Sequence, residues 1–385
     1  MLSPIIFQYS IANVVDLDII AMLLVVAIGL IGKAKISGRT GGVLKSDIAI
    51  YLIYVAVVTV ANLLVGVKYS AAFDIVMRCG RYCLFLYFVL IRNADYFDYN
   101  VAMRIYRRIV YVACAYIVIQ SIVYYATGVV LPSKIGGNDT SVYIEGFGRL
   151  GSFYSEPASL SYAIIPFLVC SLFGPRYENN NKWIDALVVS VTIILSTSGQ
   201  GVICLIAVWL IWAANGLVAG RIRFTRFLGI LIIIGVFVWL ARTPIISFTL
   251  GRVNNVGQNG AVSARINGYS SLKLLNPVQL IFGTGYGNYI VKNIYNIDTS
   301  FEYIYYSSLA EQLFTTGIIG TLLIVVLFIK RYRQSHTWVR VLIIATLILA
   351  LGGAPLSAPS IPLYFSLVFS KQGSRENNMV PSKQF

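Results

Sequence analysis

The sequence predicts an all-α polytopic integral membrane protein of about 11 (10–12) transmembrane helices with one large extracytoplasmic loop. Three observations predict it. Hydrophobic residues fill 58% of the 385 positions and charged residues only 12%, where a soluble globular chain carries about 25% charged residues. Apolar runs of roughly twenty residues, long enough to cross the hydrocarbon core as a helix, alternate with short polar connections. Lys and Arg gather in every second connection, which is the positive-inside arrangement.

The runs fall at about 14–32, 48–67, 71–91, 109–130, 157–173, 184–198, 201–219, 227–241, 306–329, 339–353 and 356–370. Connections after the odd-numbered runs hold Lys33, Lys35, Arg39 and Lys45; Arg92, Arg104, Arg107 and Arg108; Arg176 and Lys182; Arg221, Arg223 and Arg226; Lys330, Arg331, Arg333 and Arg340; and the tail holds Lys371, Arg375 and Lys383. These are most of the 30 basic residues. They set that side, with the C-terminus, as cytoplasmic. Residues 131–156 and 242–305 then form a smaller and a larger outer loop on one membrane domain, 1–385. The net charge of +15, so distributed, points to a membrane and not to nucleic acid. The mean hydropathy of +0.77 agrees.

The first residues lack a basic n-region and a small-residue cleavage site, so no signal peptide is expected. Cys79, Cys83, Cys114, Cys170 and Cys204 all fall in apolar runs and read as small buried hydrophobes, not as disulfides or metal ligands. The single histidine, His336, lies in a cytoplasmic connection, so no histidine is available outside for proton transfer. No internal repeat is apparent, which weighs against a pseudo-symmetric transporter.

Several residues invite chemistry, each beside a plainer reading. Arg252 and Arg265 in the large loop and Arg149 in the small one offer planar donor forks suited to diphosphate; a solvated loop or contact with anionic headgroups is the alternative. Glu156-Pro157 reads as a helix start, with proline in the first turn and a carboxylate at the positive end of the helix dipole. The same carboxylate at the outer membrane edge could act as a general base. Asp74, Arg78 and Arg81 lie within the third run, where ionisable groups are costly and point to function, although Asp74 and Arg78 are four apart and can pair on one helix. Ser196 to Gly201 reads as a tight outer turn. Asp16-Leu17-Asp18 resembles a diacidic metal motif, but residues two apart face different sides of a helix. Gly283-Thr284-Gly285-Tyr286-Gly287 lacks the strand–turn–helix setting of a dinucleotide site; it reads as a loop turn or as amides presented to a phosphate.

In this order, Gly151 to Pro157, Leu195-Ser196-Thr197-Ser198 before a glycine, Arg265, Phe282 to Gly287 and Gly317-Ile318-Ile319-Gly320-Thr321 resemble the O-antigen polymerase/ligase superfamily. The likeness covers about residues 145–330. These are integral-membrane glycosyltransferases of GT-C-like architecture acting on polyprenyl-diphosphate-linked saccharides. In the ligase branch an outward histidine stands nine residues plus one before Gly-x-x-Gly-Thr; here Tyr306 holds that position and Ser307 the next. A tyrosine with a pKa near about 10 is a poor base at neutral pH, which favours the Wzy-type polymerases.

The resemblance implies transfer of a growing saccharide from its undecaprenyl diphosphate carrier to a hydroxyl of the next lipid-linked repeat unit. It implies no cofactor and no metal, because cationic side chains can neutralise the leaving diphosphate. On this basis Glu156 and Arg265 are expected to be catalytic. Arg252, Arg149, Arg81 and Arg78 would bind diphosphate, and Tyr286 and Tyr306 would meet sugar rings. Tyr289, Tyr303 and Tyr305 are further stacking candidates, or members of an interfacial tyrosine belt. The expected partners are the lipid-linked oligosaccharide, membrane lipid, and a chain-length regulator and a flippase as protein candidates. A ligase and a lipid-linked oligosaccharide flippase are the competing readings.

Overall fold

A computed structural model describes residues 42–66, 82–92, 97–129, 131–133, 150–154, 156–177, 181–220, 271–286, 307–353, 355–356 and 361–370. It adds short pieces at 10–11, 15–16, 23–28, 79–80, 143–144 and 147–148, and single positions 30, 76 and 269. Among these residues ten helices are labelled in chain order: α1 Gly42–Gly66, α2 Tyr82–Ile91, α3 Tyr99–Thr127, α4 Pro157–Phe173 and α5 Lys182–Leu195. They continue with α6 Gly199–Val218, α7 Pro277–Phe282, α8 Ser308–Gln334, α9 Thr337–Gly352 and α10 Ile361–Phe369. Two antiparallel ladders of two residues per strand pair Ser10–Ile11 with Val15–Asp16 and Tyr143–Ile144 with Phe147–Gly148. The second ladder lies within residues 131–156.

Among the described residues four helices are long and apolar enough to cross a membrane: Lys45–Val65, α3, α6 and α8. Their surfaces explain why water is the wrong solvent. On α1 the exposed residues Ile50, Ile53, Val57, Val60 and Leu64 recur every three or four positions, tracing one helix face. The opposite face, with Ile48, Tyr51, Leu52, Val55 and Val58, is buried. A helix that is apolar on both faces is a core helix or a membrane span. On α8 the stripe Ile318, Leu322, Val325 and Ile329 repeats the pattern.

The runs of the sequence and the helices agree in order but differ at their ends. Pro157–Phe173 matches the expected run. Helix α3 starts ten residues before its run, at Tyr99 instead of 109, and takes in Arg104, Arg107 and Arg108. Asp98 is the reason: its carboxylate accepts from the Asn100 and Val101 amides at 2.8 and 3.2 Å, an N-terminal cap that hydropathy does not register. In the same way α1 begins at Gly42 and α8 runs on to Gln334, because basic residues are good helix formers beyond the lipid boundary. The runs at 14–32 and 71–91 are described only in part, and 227–241 lies outside the described residues.

The chain divides into two compact units. The first comprises Met1–Ala102, Ala264–Ile343 and Ala350–Phe385. In it α1 packs on α8, and Lys330 Nζ meets Asp47 Oδ2 at 2.8 Å, tying the N-terminal turns of α1 to the C-terminal part of α8. Arg331 is 3% exposed because its guanidinium donates to the carbonyls of Val368 and Ser370, each at 2.6 Å. It thus satisfies carbonyls that the end of α10 leaves open.

The second unit comprises Met103–Ser263 and Ile344–Leu349. Helix α4 is its centre. From Pro157 to Ser171 it is buried at every position except Ser159, so its neighbours and not lipid surround it. Tyr106 donates to the Ala163 carbonyl and packs its ring edge-on to Phe167 at 5.2 Å. Cys114, Cys170 and Cys204 are buried in this unit, in keeping with their reading as apolar fillers.

Candidate functional site

In the first unit the two glycine runs of the sequence fit into one another. Helix α7 opens with a capping box between Asn276 and Gln279, has proline in its first turn and stops at Gly283, where φ is 90°. The chain then turns onto α8 at the point where Gly317 (φ 65°, ψ −170°) breaks that helix. A break in the helical ladder releases carbonyls that need new donors. Phe314 O accepts from the Thr284 amide and hydroxyl, both at 3.0 Å. Thr315 O accepts from the Gly285 amide at 2.9 Å, and Thr316 O from the Tyr54 hydroxyl at 3.1 Å. A Cβ on Gly283 would stand 2.6 Å from Gly317 N, and one on Gly317 2.5 Å from Gly283 N. Both positions therefore require glycine, through space and conformation together.

Helix α1 holds the turn from the other side. Asn62 Nδ2 donates to Gly283 O at 3.2 Å, and Thr59 Oγ1 accepts from the Tyr286 amide at 2.9 Å. The Tyr286 ring stacks on Tyr82 with centroids 4.4 Å apart, so that face of the ring is closed to a sugar. Behind it, Gln312 Nε2 donates to the Tyr51 hydroxyl and to Thr316 Oγ1, each at 2.8 Å. Tyr51 lies 3.5 Å from the Tyr82 hydroxyl. None of Tyr51, Thr59, Asn62, Tyr82 or Gln312 stands out in the sequence; the only signal is a polar side chain inside an apolar run.

In the second unit Glu156 stands at the N-cap of α4 with extended backbone (φ −142°, ψ 150°) and proline next in line, but its carboxylate makes no capping bond. The helix-start reading of Glu156-Pro157 therefore holds for the backbone and leaves the side chain unused among the described residues. The segment before it is firmly anchored. Gln120 Oε1 accepts from the Ser152 amide at 3.1 Å, and Ser152 Oγ donates to Ala113 O at 2.7 Å. Phe153 stacks on Tyr116 at 4.2 Å. Tyr154 is 2% exposed; burial pushes its phenol above the usual range, which keeps it neutral and unsuited as a base.

The turn between α5 and α6 is as short as its glycines suggest. Ser198 caps α6 by accepting from the Gly201 amide at 3.3 Å. Thr197 sits at φ 53°, and its buried hydroxyl has no partner among the described residues.

Arg149, Arg252, Arg265, Arg78, Arg81 and Tyr306 lie outside the described residues, as do Asp18, Asp74, Tyr289, Tyr303 and Tyr305. Asp16 falls in a two-residue strand, not a helix. His336 is the N-cap of α9 and makes no side-chain cap bond. Among the described residues no group of three His, Cys, Asp or Glu side chains is arranged to hold a metal ion.

A second polar centre was not legible in the sequence. Asp185, in the first turn of α5, is fully buried. It accepts from Arg107 Nε and the Tyr111 hydroxyl, each at 2.8 Å, and from the Tyr177 hydroxyl at 3.0 Å. Three side chains hold this buried carboxylate in place, so the centre serves stability. Asp185→Asn is expected to cost about 2–3 kcal/mol, since it removes charge-assisted bonds and leaves the buried Tyr177 hydroxyl mismatched. A thermal melt of the solubilised protein would show a lower midpoint; an unchanged midpoint would refute the assignment.

Searched against protein-family models and against curated proteins, the chain matches none.

Proposed function

We propose that this chain is a polysaccharide repeat-unit polymerase of the outer face of a bacterial plasma membrane, with a GT-C-like helical fold and a cytoplasmic C-terminus. It takes the growing saccharide from undecaprenyl diphosphate and transfers it to a hydroxyl of the next lipid-linked repeat unit. The anomeric C–O bond to the diphosphate breaks, the glycosidic C–O bond forms, and the acceptor hydroxyl gives up its proton. One observation carries the reading. Phe282 to Tyr286, the described part of the first glycine run, and Gly317 to Thr321, about thirty residues further along the chain, both belong to the resemblance and interlock through Gly283 and Gly317.

In this reading Glu156 takes the acceptor proton, a role open to a carboxylate that no cap bond engages. Arg265 and Arg252 neutralise the leaving diphosphate, with Arg149, Arg78 and Arg81 as further contacts. Tyr286 and Tyr306 meet the sugar. No cofactor or metal enters, and a chain-length regulator and a flippase are the protein partners.

Deletion of the gene with plasmid complementation, reading surface polysaccharide on a gel, tests this. The deletion is expected to leave single repeat units, and Arg265→Ala, checked for membrane expression, to fail to restore the ladder. Long chains still attached to the lipid carrier would mark a ligase despite Tyr306. Lipid-linked units accumulating on the cytoplasmic face would mark a flippase.

A further inference from the structure

The turn that joins α5 to α6 carries two polar groups that the fold positions and does not use. Tyr162, 7% exposed, donates its hydroxyl to Gln200 Oε1 at 2.9 Å. That bond occupies the amide oxygen and leaves the Gln200 Nε2 donors, for which no acceptor stands among the described residues. Three residues earlier, Thr197 is a β-branched residue in the left-handed region, where such residues are rarely found. Its hydroxyl is buried without a partner among the described residues, an arrangement that costs stability.

Both groups stand beside the start of α4. Gly201 approaches Ser161 so closely that a Cβ on the glycine would lie 2.9 Å from Ser161 Cβ. The Ser161 hydroxyl in turn donates to Pro157 O at 3.0 Å, and Pro157 follows Glu156. Tyrosine side chains on a helix lean toward its N-terminus, which brings the Tyr162 hydroxyl, and the amide it holds, back toward the level of Glu156. The close approach of Gly201 to Ser161 thus sets the start of α6, with Gln200 and the Thr197 turn before it, against the first turns of α4 that follow Glu156, whose carboxylate makes no cap bond.

We propose that Gln200 and Thr197 form the acceptor-saccharide subsite beside Glu156. Gln200 Nε2 donates to sugar oxygens and Thr197 Oγ1 bonds a sugar hydroxyl, holding the reacting hydroxyl for Glu156. This rests on the polymerase reading. The ligand is a neutral polyhydroxyl surface and not the diphosphate, because two amide N–H donors and a hydroxyl match alternating sugar oxygens and carry no charge to balance an anion.

The test uses the full chain in detergent and two probes: lipid-linked repeat units extracted from the deletion strain, and undecaprenyl diphosphate without sugar. Gln200→Glu keeps the oxygen that Tyr162 binds and replaces the donors by an acceptor. It is expected to raise the acceptor KM about tenfold with kcat within about twofold, and to weaken stabilisation by the sugar-bearing probe alone. Thr197→Val keeps shape while removing the orphan hydroxyl. It is expected to raise the thermal midpoint and still raise the acceptor KM about threefold. A merely structural role would not produce both. An unchanged acceptor KM in both variants overturns the subsite. Equal weakening for both probes in Gln200→Glu assigns the amide to diphosphate and overturns the saccharide assignment. A wild-type protein that neither polymerises the extracted units nor is stabilised by them overturns the polymerase reading itself, and the subsite with it.

Discussion

Gly317→Ala is expected to prevent the protein from accumulating in a folded state. The residue sits at φ 65° and ψ −170°, a region that is essentially glycine-only. Its new Cβ would press on Gly283 N at 2.5 Å and on the Ile281 carbonyl. Both are backbone atoms, so no rotamer change relieves the clash. Strain and displacement together should cost about 3–5 kcal/mol, a large share of the stability of an ordinary domain. Gly128 supplies the control: φ is 71° there too, but a methyl group at that position would meet nothing within 4 Å, so Gly128→Ala should cost only about 1 kcal/mol. Size-exclusion profiles and thermal midpoints of tagged, solubilised variants give the comparison. Equal midpoints for the two alanine variants would show that the glycines do not interlock.

Glu156→Gln is expected to slow polymerisation by about 10²–10⁴-fold while leaving protein level and thermal midpoint near wild type. The rate loss is the usual worth of a positioned general base. The unchanged stability follows from the α4 terminus, where the carboxylate makes no capping bond that glutamine would lose. The two readouts together separate chemistry from folding. Consumption of extracted lipid-linked units by membrane vesicles measures the rate, and a variant that retains full activity removes Glu156 from the role.

The membrane class was legible from hydropathy and from the spacing of Lys and Arg, because both report directly on the solvent around each segment. Helix ends were less so. Asp98 lengthens α3 into a basic connection through a side-chain cap, and hydropathy is blind to caps. Of the candidate site, the glycine runs and Glu156-Pro157 could be picked out by residue type. What they touch could not. The Gly283–Gly317 approach and the Asp185 centre are built from residues far apart in the chain, and a single sequence carries no record of such pairings. Gln200 and Thr197 were visible only as a turn; the hydroxyl without a partner among the described residues and the Tyr162–Gln200 bond are three-dimensional facts.

The break in α8 also bears on the order in which this protein can be assembled. Its freed carbonyls at Phe314, Thr315 and Thr316 find donors on residues 284–285 and on Tyr54 of α1. In hydrocarbon an open carbonyl is costly, so α8 cannot rest as an independent span after insertion. Helix α1, made more than two hundred residues earlier, must wait in the bilayer until the chain has supplied both the turn and the kinked helix. Truncation before Gly283 therefore leaves α1 inserted with α2 but without the turn and the kinked helix, and truncation between Gly287 and Gly317 leaves a turn without the α8 carbonyls it binds.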